Sequence, residues 1–241
     1  VHINIRGAHN KYVVAESNHT AGANRDNAAQ WETWKLEHNN NNTWSFKSYH
    51  GKYLVAETNG QVNANRDKVG PWEQWHAIPN ANGTVSFRSH HGKLLCAEPN
   101  GTLIANRDAI GPWEQFKIHF NNGETVTFKS HHGKYLVAEG DNKTVNVNRD
   151  QAGPWEKWVA STHNGESAFR SHHGKYLSAQ PDGSLVADRG AVAEWERFNV
   201  VLGDQGLALY NPTHHKFICA EQNGKAVANR GALGPWESFK V

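Results

Sequence analysis

One segment recurs through this chain at a fixed interval, and that periodicity restricts the fold more than any other property. Lys11-Tyr12-Val13-Val14-Ala15-Glu16 returns with its lysine at Lys52, Lys93, Lys134, Lys175 and Lys216, always 41 residues on. A Trp-Glu pair returns at Trp31, Trp72, Trp113, Trp155, Trp195 and Trp236, at intervals of 41, 41, 42, 40 and 41. The one-residue slip falls in Asp141-Asn142-Lys143, a polar turn able to absorb an insertion. Six copies of one repeat make up the chain.

Overlaying the repeats separates core from surface. In the third, Val85, Phe87 and Ser89 alternate with Ser86, Arg88 and His90, the period-two pattern of a strand with one buried face. His91-Gly92-Lys93 reads as a turn. Leu94 to Glu98 reads as a second strand, with Leu95 and Ala97 on one side and Cys96 on the other. Pro99-Asn100-Gly101 is a turn signal, Leu103 and Ala105 mark a third strand, and Phe116 and Ile118 a fourth. The inward columns stay apolar throughout. Ile5, Phe46, Phe128, Phe169 and Tyr210 match Phe87; Val13, Leu54, Leu136, Leu177 and Ile218 match Leu95; Trp34, Trp75, Trp158, Phe198 and Phe239 match Phe116. No 3.6-residue stripe runs past one turn, so the chain reads as all-β.

Short four-stranded repeats suit two architectures. One is a six-bladed β-propeller. The other is a pair of β-trefoils of three repeats each, residues 1–119 and 120–241, with a seam near His119-Phe120. The third and sixth repeats share Cys96 and Cys219 at one place and Phe116 and Phe239 at another, which favours three plus three. No Pro- or Gly-rich linker marks the seam, so two packed lobes are expected. The two cysteines are too few for a disulfide framework and read as small, half-buried side chains.

Phe87-Arg88-Ser89-His90-His91-Gly92-Lys93 followed by Leu94-Leu95-Cys96-Ala97-Glu98 resembles the first hairpin of the fascin and hisactophilin β-trefoils. Phe128-Lys129-Ser130-His131-His132-Gly133-Lys134-Tyr135-Leu136 is similar, as is Asn148-Arg149 followed by Gly153-Pro154-Trp155-Glu156. The resemblance runs repeat by repeat along the whole chain. It implies tandem β-trefoils and, as one function, actin binding or bundling. Trefoils host many functions, so the fold does not decide the ligand. The Gln-x-Trp signature of ricin-type lectins is absent.

Composition removes some partners. Lys and Arg total 25 against 23 Asp and Glu, which argues against a nucleic-acid binder working by bulk charge. No apolar run approaches the length of a membrane span, so integral membrane association is not expected. The start at Val1 has strand-like alternation and no charged-then-apolar leader, which points to the cytoplasm.

The candidate ligand site is the pairing of Asn-Arg-Asp with Trp-Glu. It comprises Asn65, Arg66, Asp67, Trp72 and Glu73; Asn106, Arg107, Asp108, Trp113 and Glu114; and Asn148, Arg149, Asp150, Trp155 and Glu156. An aromatic face beside a carboxylate, an amide and a guanidinium suits a sugar, whose apolar C–H face stacks while its hydroxyls bond. The scaffold reading is that the arginine pairs with a glutamate and stacks on the tryptophan to close each turn. The other three repeats are degraded. The first has Ala29-Gln30 in place of Gly-Pro, the fifth reads Asp188-Arg189-Gly190, and the sixth has Gly231 in place of the acid. The middle repeats are therefore the better candidate sites.

Histidine pairs at His90-His91, His131-His132, His172-His173 and His214-His215, with Tyr49-His50 and Ala8-His9 as variants, mark one turn. Adjacent side chains at a strand end diverge, so no metal and no cofactor is expected. The 16 histidines would instead shift a near-neutral chain positive as pH falls, favouring anionic partners. No singular nucleophile, carboxylate pair or phosphate loop breaks the repeat, so no enzyme is expected. The first functional expectation is a multivalent carbohydrate-binding protein acting on glycans or glycoconjugates by avidity. The alternative is binding of actin filaments. Its basic residues, among them Lys47, Arg88, Lys129 and Arg170, are evenly spread in sequence.

Overall fold

A computed structural model describes residues 1–241. The chain is all-β, and its residues gather into two compact bodies. One holds His2–Asn80 with Thr84–Asn121; the other holds Asn122–Val241 with Val1 and Ala81–Gly83.

The first body contains twelve strands, four per repeat: β1 (His2–Arg6), β2 (Tyr12–Ala15), β3 (Ala21–Arg25), β4 (Trp34–His38), β5 (Trp44–Lys47), β6 (Tyr53–Ala56), β7 (Val62–Arg66), β8 (His76–Pro79), β9 (Val85–Arg88), β10 (Leu94–Ala97), β11 (Leu103–Arg107) and β12 (Lys117–Phe120). Six of them close a barrel. β1 pairs with β4, β4 with β5, and β8 with β9, while β12 returns to β1. Single bridges, Trp44 to Trp75 and Val85 to Phe116, close the remaining gaps. The hairpins β2–β3, β6–β7 and β10–β11 are joined to one another by the bridges Thr20–Asn63, Gly22–Thr102 and Gln61–Ile104. A closed six-stranded barrel with a triangle of three hairpins is a β-trefoil. The propeller alternative is not needed.

The second body repeats the plan. Its strands are β13 (Thr125–Val126), β14 (Tyr135–Ala138), β15 (Val145–Arg149), β16 (Trp158–His163), β17 (Glu166–Arg170), β18 (Tyr176–Ala179), β19 (Leu185–Arg189), β20 (Asn199–Gly203), β21 (Gly206–Asn211), β22 (Lys216–Ala220) and β23 (Ala226–Arg230). Its hairpin triangle is held by bridges Thr144–Val186, Asn146–Lys225 and Ser184–Val227. Leu207–Phe239 and Lys129–Lys240 bind the last residues into the barrel. The repeat slip is visible here. The fourth repeat carries the extra residue in the turn Asp141–Thr144, where the Asp141 carboxylate accepts the Thr144 amide at 2.8 Å. A tight Asn164-Gly165 hairpin, with φ of 52° and 77°, then joins β16 to β17 and restores the spacing.

The apolar columns form the interior of each trefoil. Phe46, Phe87 and Phe116 of the first, and Phe128, Phe169 and Phe239 of the second, are almost wholly buried. Phe46 meets Phe87 edge-on at 5.4 Å between ring centres, and Phe128 meets Phe169 at 5.3 Å. Where the fourth strand carries Trp, the indole N–H finds a carbonyl: Trp34 on Val13, Trp75 on Leu54 and Trp158 on Leu136. Cys96 and Cys219 are buried completely rather than by half, and both are free. Burial, together with the neighbouring Glu114 and Glu237, pushes both thiols up to about 12, so neither is a reactive thiolate.

Candidate functional site

The Asn-Arg-Asp element ends the third strand of each repeat, where backbone pairing to the second strand stops. Its arginine is already engaged. Arg66 donates to Glu57 at 2.7 Å and to Asn65 Oδ1 at 2.6 Å; Arg107 reaches Glu98 at 2.8 Å, and Arg149 reaches Glu139 at 2.5 Å. The partner is the glutamate that ends the second strand, not that of the Trp-Glu pair. The acid is engaged too. Asp67, Asp108 and Asp150 pair with Lys52, Lys93 and Lys134 of their own repeats. Asp67 is held below the usual carboxylate range by the Lys52 hydrogen bond. In the fifth and sixth repeats Gly190 and Gly231 stand where this acid would be, leaving Lys175 and Lys216 without it.

Trp-Glu closes a single 3₁₀ turn, and its two residues point opposite ways. Glu73, Glu114 and Glu156 are buried, and each accepts the N–H of the glycine three residues before it, at 2.7, 2.7 and 2.6 Å. Inward-turned carboxylates cannot take a ligand hydroxyl, which removes these three glutamates from the sequence-derived site. The tryptophans face outward; Trp113 and Trp155 are 38% and 39% exposed. Each packs on a histidine of the next repeat: Trp31 on His50 at 5.1 Å, Trp72 on His91 at 5.0 Å, and Trp113 back on His9 at 5.5 Å. The second trefoil closes the same cycle through Trp155–His173, Trp195–His214 and Trp236–His132.

These histidines are staples. Nε2 of His50, His91, His132, His173 and His214 lies 2.9–3.1 Å from the carbonyl of Ala15, Ala56, Ala220, Ala138 and Ala179, each in the preceding repeat of its ring. His9 is the exception: its Nε2 is buried without a partner. The histidine pairs therefore divide their labour. His90, His131 and His172 are exposed, and their neighbours are half-buried. Adjacent rings do diverge, as His90 and His91 stand 78° apart. His214-His215 is a different pair from the rest. His214 is the staple, and His215 fills the glycine place of the turn at φ 58°, a left-handed conformation in which Gly92 has φ 80°.

The register of the barrel strands reveals a second arrangement. Arg6 stands opposite Lys117, Lys35 opposite Lys47, and His76 opposite Arg88, all on the outer face. Like charges directly opposed across strands cost stability, up to about 1 kcal/mol per pair. Part of that cost is offset by rings, since the Arg6 guanidinium lies 5.8 Å from the centre of Tyr12 and the Lys47 ammonium 5.6 Å from that of Tyr53. Glu37 is the acid nearest in register, and it accepts the Tyr53 hydroxyl. The first trefoil thus sets basic side chains opposite one another at all three of its repeats, two of the pairs being formal cations. The second keeps one such pair, Lys129 with Lys240; Val159 stands opposite Arg170, and at the third position the register moves by one residue and sets buried Asn199 opposite buried Tyr210.

Comparison with known families agrees with this architecture. Residues 8–118 match the Fascin domain, and residues 138–241 match the FRG1-like domain, both β-trefoil families. The chain is a tandem of β-trefoils, similar to the Fascin domain in its first half and to the FRG1-like domain in its second. No curated protein matches it. Among solved structures, one described by its "Structure and mode of action of a mosquitocidal holotoxin" is 12% identical with a TM-score of 0.47, covering 99% of this chain and 34% of the toxin chain. The designed 3-fold symmetric protein ThreeFoil is 18% identical with a TM-score of 0.45, covering 48% of this chain and 96% of its own.

Within this β-trefoil tandem, the sequence-derived site residues occupy one neighbourhood per repeat. A hollow at this element lies on the first repeat. It measures about 700 Å³ and is bounded by Asn24, Arg25, Asp26, Asn27, Gln30 and Trp31. Gln30 there stands where Pro71 or Pro112 stands elsewhere, so an amide replaces a ring. The cation pairs escaped sequence reading because only one member of each lies in the repeated Phe-Lys/Arg-Ser segment. No helix of the chain is long and apolar enough to cross a membrane.

Proposed function

We propose that this chain is a non-enzymatic protein that binds an acidic protein surface, the actin filament that the fascin-like resemblance implies, through the first trefoil. The observation that supports this reading is the set of opposed basic side chains, the cation pairs Arg6/Lys117 and Lys35/Lys47 with Arg88 opposite His76. The barrel does not need them, since the second trefoil folds with Val159 in the place that Lys35 takes in the first. Charge that costs the fold and recurs with the symmetry of one trefoil suits an anionic partner, whose approach relieves the repulsion. The set also lies almost wholly inside the residues that match the Fascin domain.

Co-sedimentation of the full chain with actin filaments tests this. Binding should weaken as salt rises. The paired changes Lys35→Gln with Lys47→Gln should weaken it further, whereas the same changes at Lys129 and Lys240 should act less. Filament binding indifferent to the first-trefoil changes would refute the assignment.

Glycan binding is the second reading, and the hollow at Asn24, Gln30 and Trp31 favours it. An amide and a carboxylate beside an indole face suit a hydroxylated ring. A glycan array run with the native chain and a Gln30→Pro variant would test it; signal retained in full by the variant would exclude this hollow.

A further inference from the structure

We propose that the second trefoil carries a site for a phosphate monoester, between the turn that follows Lys129 and the last residues of the chain. A hollow of about 300 Å³ lies there, lined by Lys129, Ser130, His131, Gln205, Ser238 and Lys240. No carboxylate lines it. The nearest acids by sequence are otherwise engaged: Glu237 is buried on the Gly234 amide, Asp150 is paired with Lys134, and Asp204 has a contact of its own. Lys129 and Lys240 form a double backbone clamp, each amide donating to the other's carbonyl at 2.8 Å. A hydrogen-bonded antiparallel pair projects both side chains to the same face. Both lysines thereby line one small space. Lys129 is braced by the Tyr135 ring, 5.7 Å from its ammonium to the ring centre.

The oxygens present select the ligand. Ser130 accepts the amides of His132 and Lys134 at 3.2 and 3.3 Å, which leaves its hydroxyl proton to donate. Ser238 spends its proton on the Gly234 carbonyl at 3.0 Å and forms part of the wall. The Gln205 amide and the His131 imidazole add further donors. Two cations and three neutral donors around a space of this size fit a doubly charged tetrahedral oxyanion better than a carboxylate, which presents one charge and two oxygens. The first trefoil is the internal control. It has the cations, Arg6 and Lys117, but Gly7, Ala8 and Gln115 replace Ser130, His131 and Ser238.

Amide-resolved NMR of the full chain, titrated with inorganic phosphate against sodium chloride of equal ionic strength, reads the site directly. Saturable shifts at Ser130, Gly133 and Gln205 are expected. Lys129→Gln with Lys240→Gln should weaken binding by about tenfold per lysine, because each removes a charge-assisted bond. The matching changes at Arg6 and Lys117 should leave the phosphate response intact. No saturable shift beyond the chloride control, or an undiminished response in the Lys129/Lys240 variant, would overturn the proposal. A parallel arm separates the sources of the phosphate group. Sedimentation with phosphatidylcholine vesicles containing phosphatidic acid, displaced by free phosphate, would identify a lipid headgroup; phosphate binding with vesicles ignored would identify a soluble ester.

Discussion

The two trefoils share an interior and differ on the outer face of the barrel. Phe46, Phe87 and Phe116 in one, and Phe128, Phe169 and Phe239 in the other, occupy equivalent buried places. Outside, the first places opposed cations at two repeats, with Arg88 opposite His76 at the third, and the second at one. By formal charge the bodies scarcely differ: residues 1–121 hold 12 basic and 10 acidic side chains, and residues 122–241 hold 13 of each. The contrast lies in placement, not in amount. A fold that tolerates either arrangement has left that surface open to selection for something other than stability.

If the interiors are equivalent, truncating one large ring in each should cost alike. Phe46→Ala and Phe128→Ala should each lose about 3–5 kcal/mol in urea unfolding. A loss under about 1 kcal/mol at either place would mean that the register assigned to that trefoil is wrong.

Acid should weaken the first body through one deeply buried histidine. His119 is buried at the end of the first trefoil, hydrogen-bonded to the Tyr12 hydroxyl at 2.7 Å. Burial, aided by Arg6 and Lys117, lowers it to about 4. It stays neutral in the fold while the unfolded chain takes up a proton below about pH 6.5. Stability should therefore fall as pH drops from about 6.5 to 4, by up to about 3 kcal/mol, and level off below. Unfolding curves measured across that range should be flatter for His119→Gln, and an unchanged slope would acquit the histidine.

Smaller effects probe the surface. Lys47→Thr removes one member of an opposed pair and should raise stability by up to about 1 kcal/mol at low salt, with the gain shrinking as salt rises. Smallest of all should be Asp108→Ala. That carboxylate is 81% exposed in its pair with Lys93, so its loss should cost a few tenths of a kcal/mol. A larger loss would mean that the turn depends on the ion pair, and the second trefoil would have to compensate at Gly190 and Gly231.

The interior was legible because strand alternation and a 41-residue period repeat each buried column six times. Outward contacts were less so. The partner of Arg66 lay nine residues back at Glu57, while the conspicuous Glu73 turned inward to cap its own turn. The Trp–His contacts join neighbouring repeats, and the pairing of Lys129 with Lys240 spans 111 residues. Neither follows from a column of letters, because both depend on which strand closes the barrel. The difference between His214 and His215 did follow from the period, which aligns His214 with His173 and His215 with Gly174, and the hydrogen bond and the positive φ agree with it.

The Trp–His cycle has a consequence for how such a molecule can be cut and rejoined. Every repeat offers an indole forward, and all but the first take a carbonyl from behind. A single 41-residue repeat made as a free peptide would have both ends unmet and could satisfy them only as a three-membered ring. In the native chain one link is weaker than the others, because His9 lacks the carbonyl bond that its five counterparts make. That link lies between the third repeat and the first, where the polypeptide begins. Opening the ring there breaks one hydrogen bond fewer than opening it at any of the other five links.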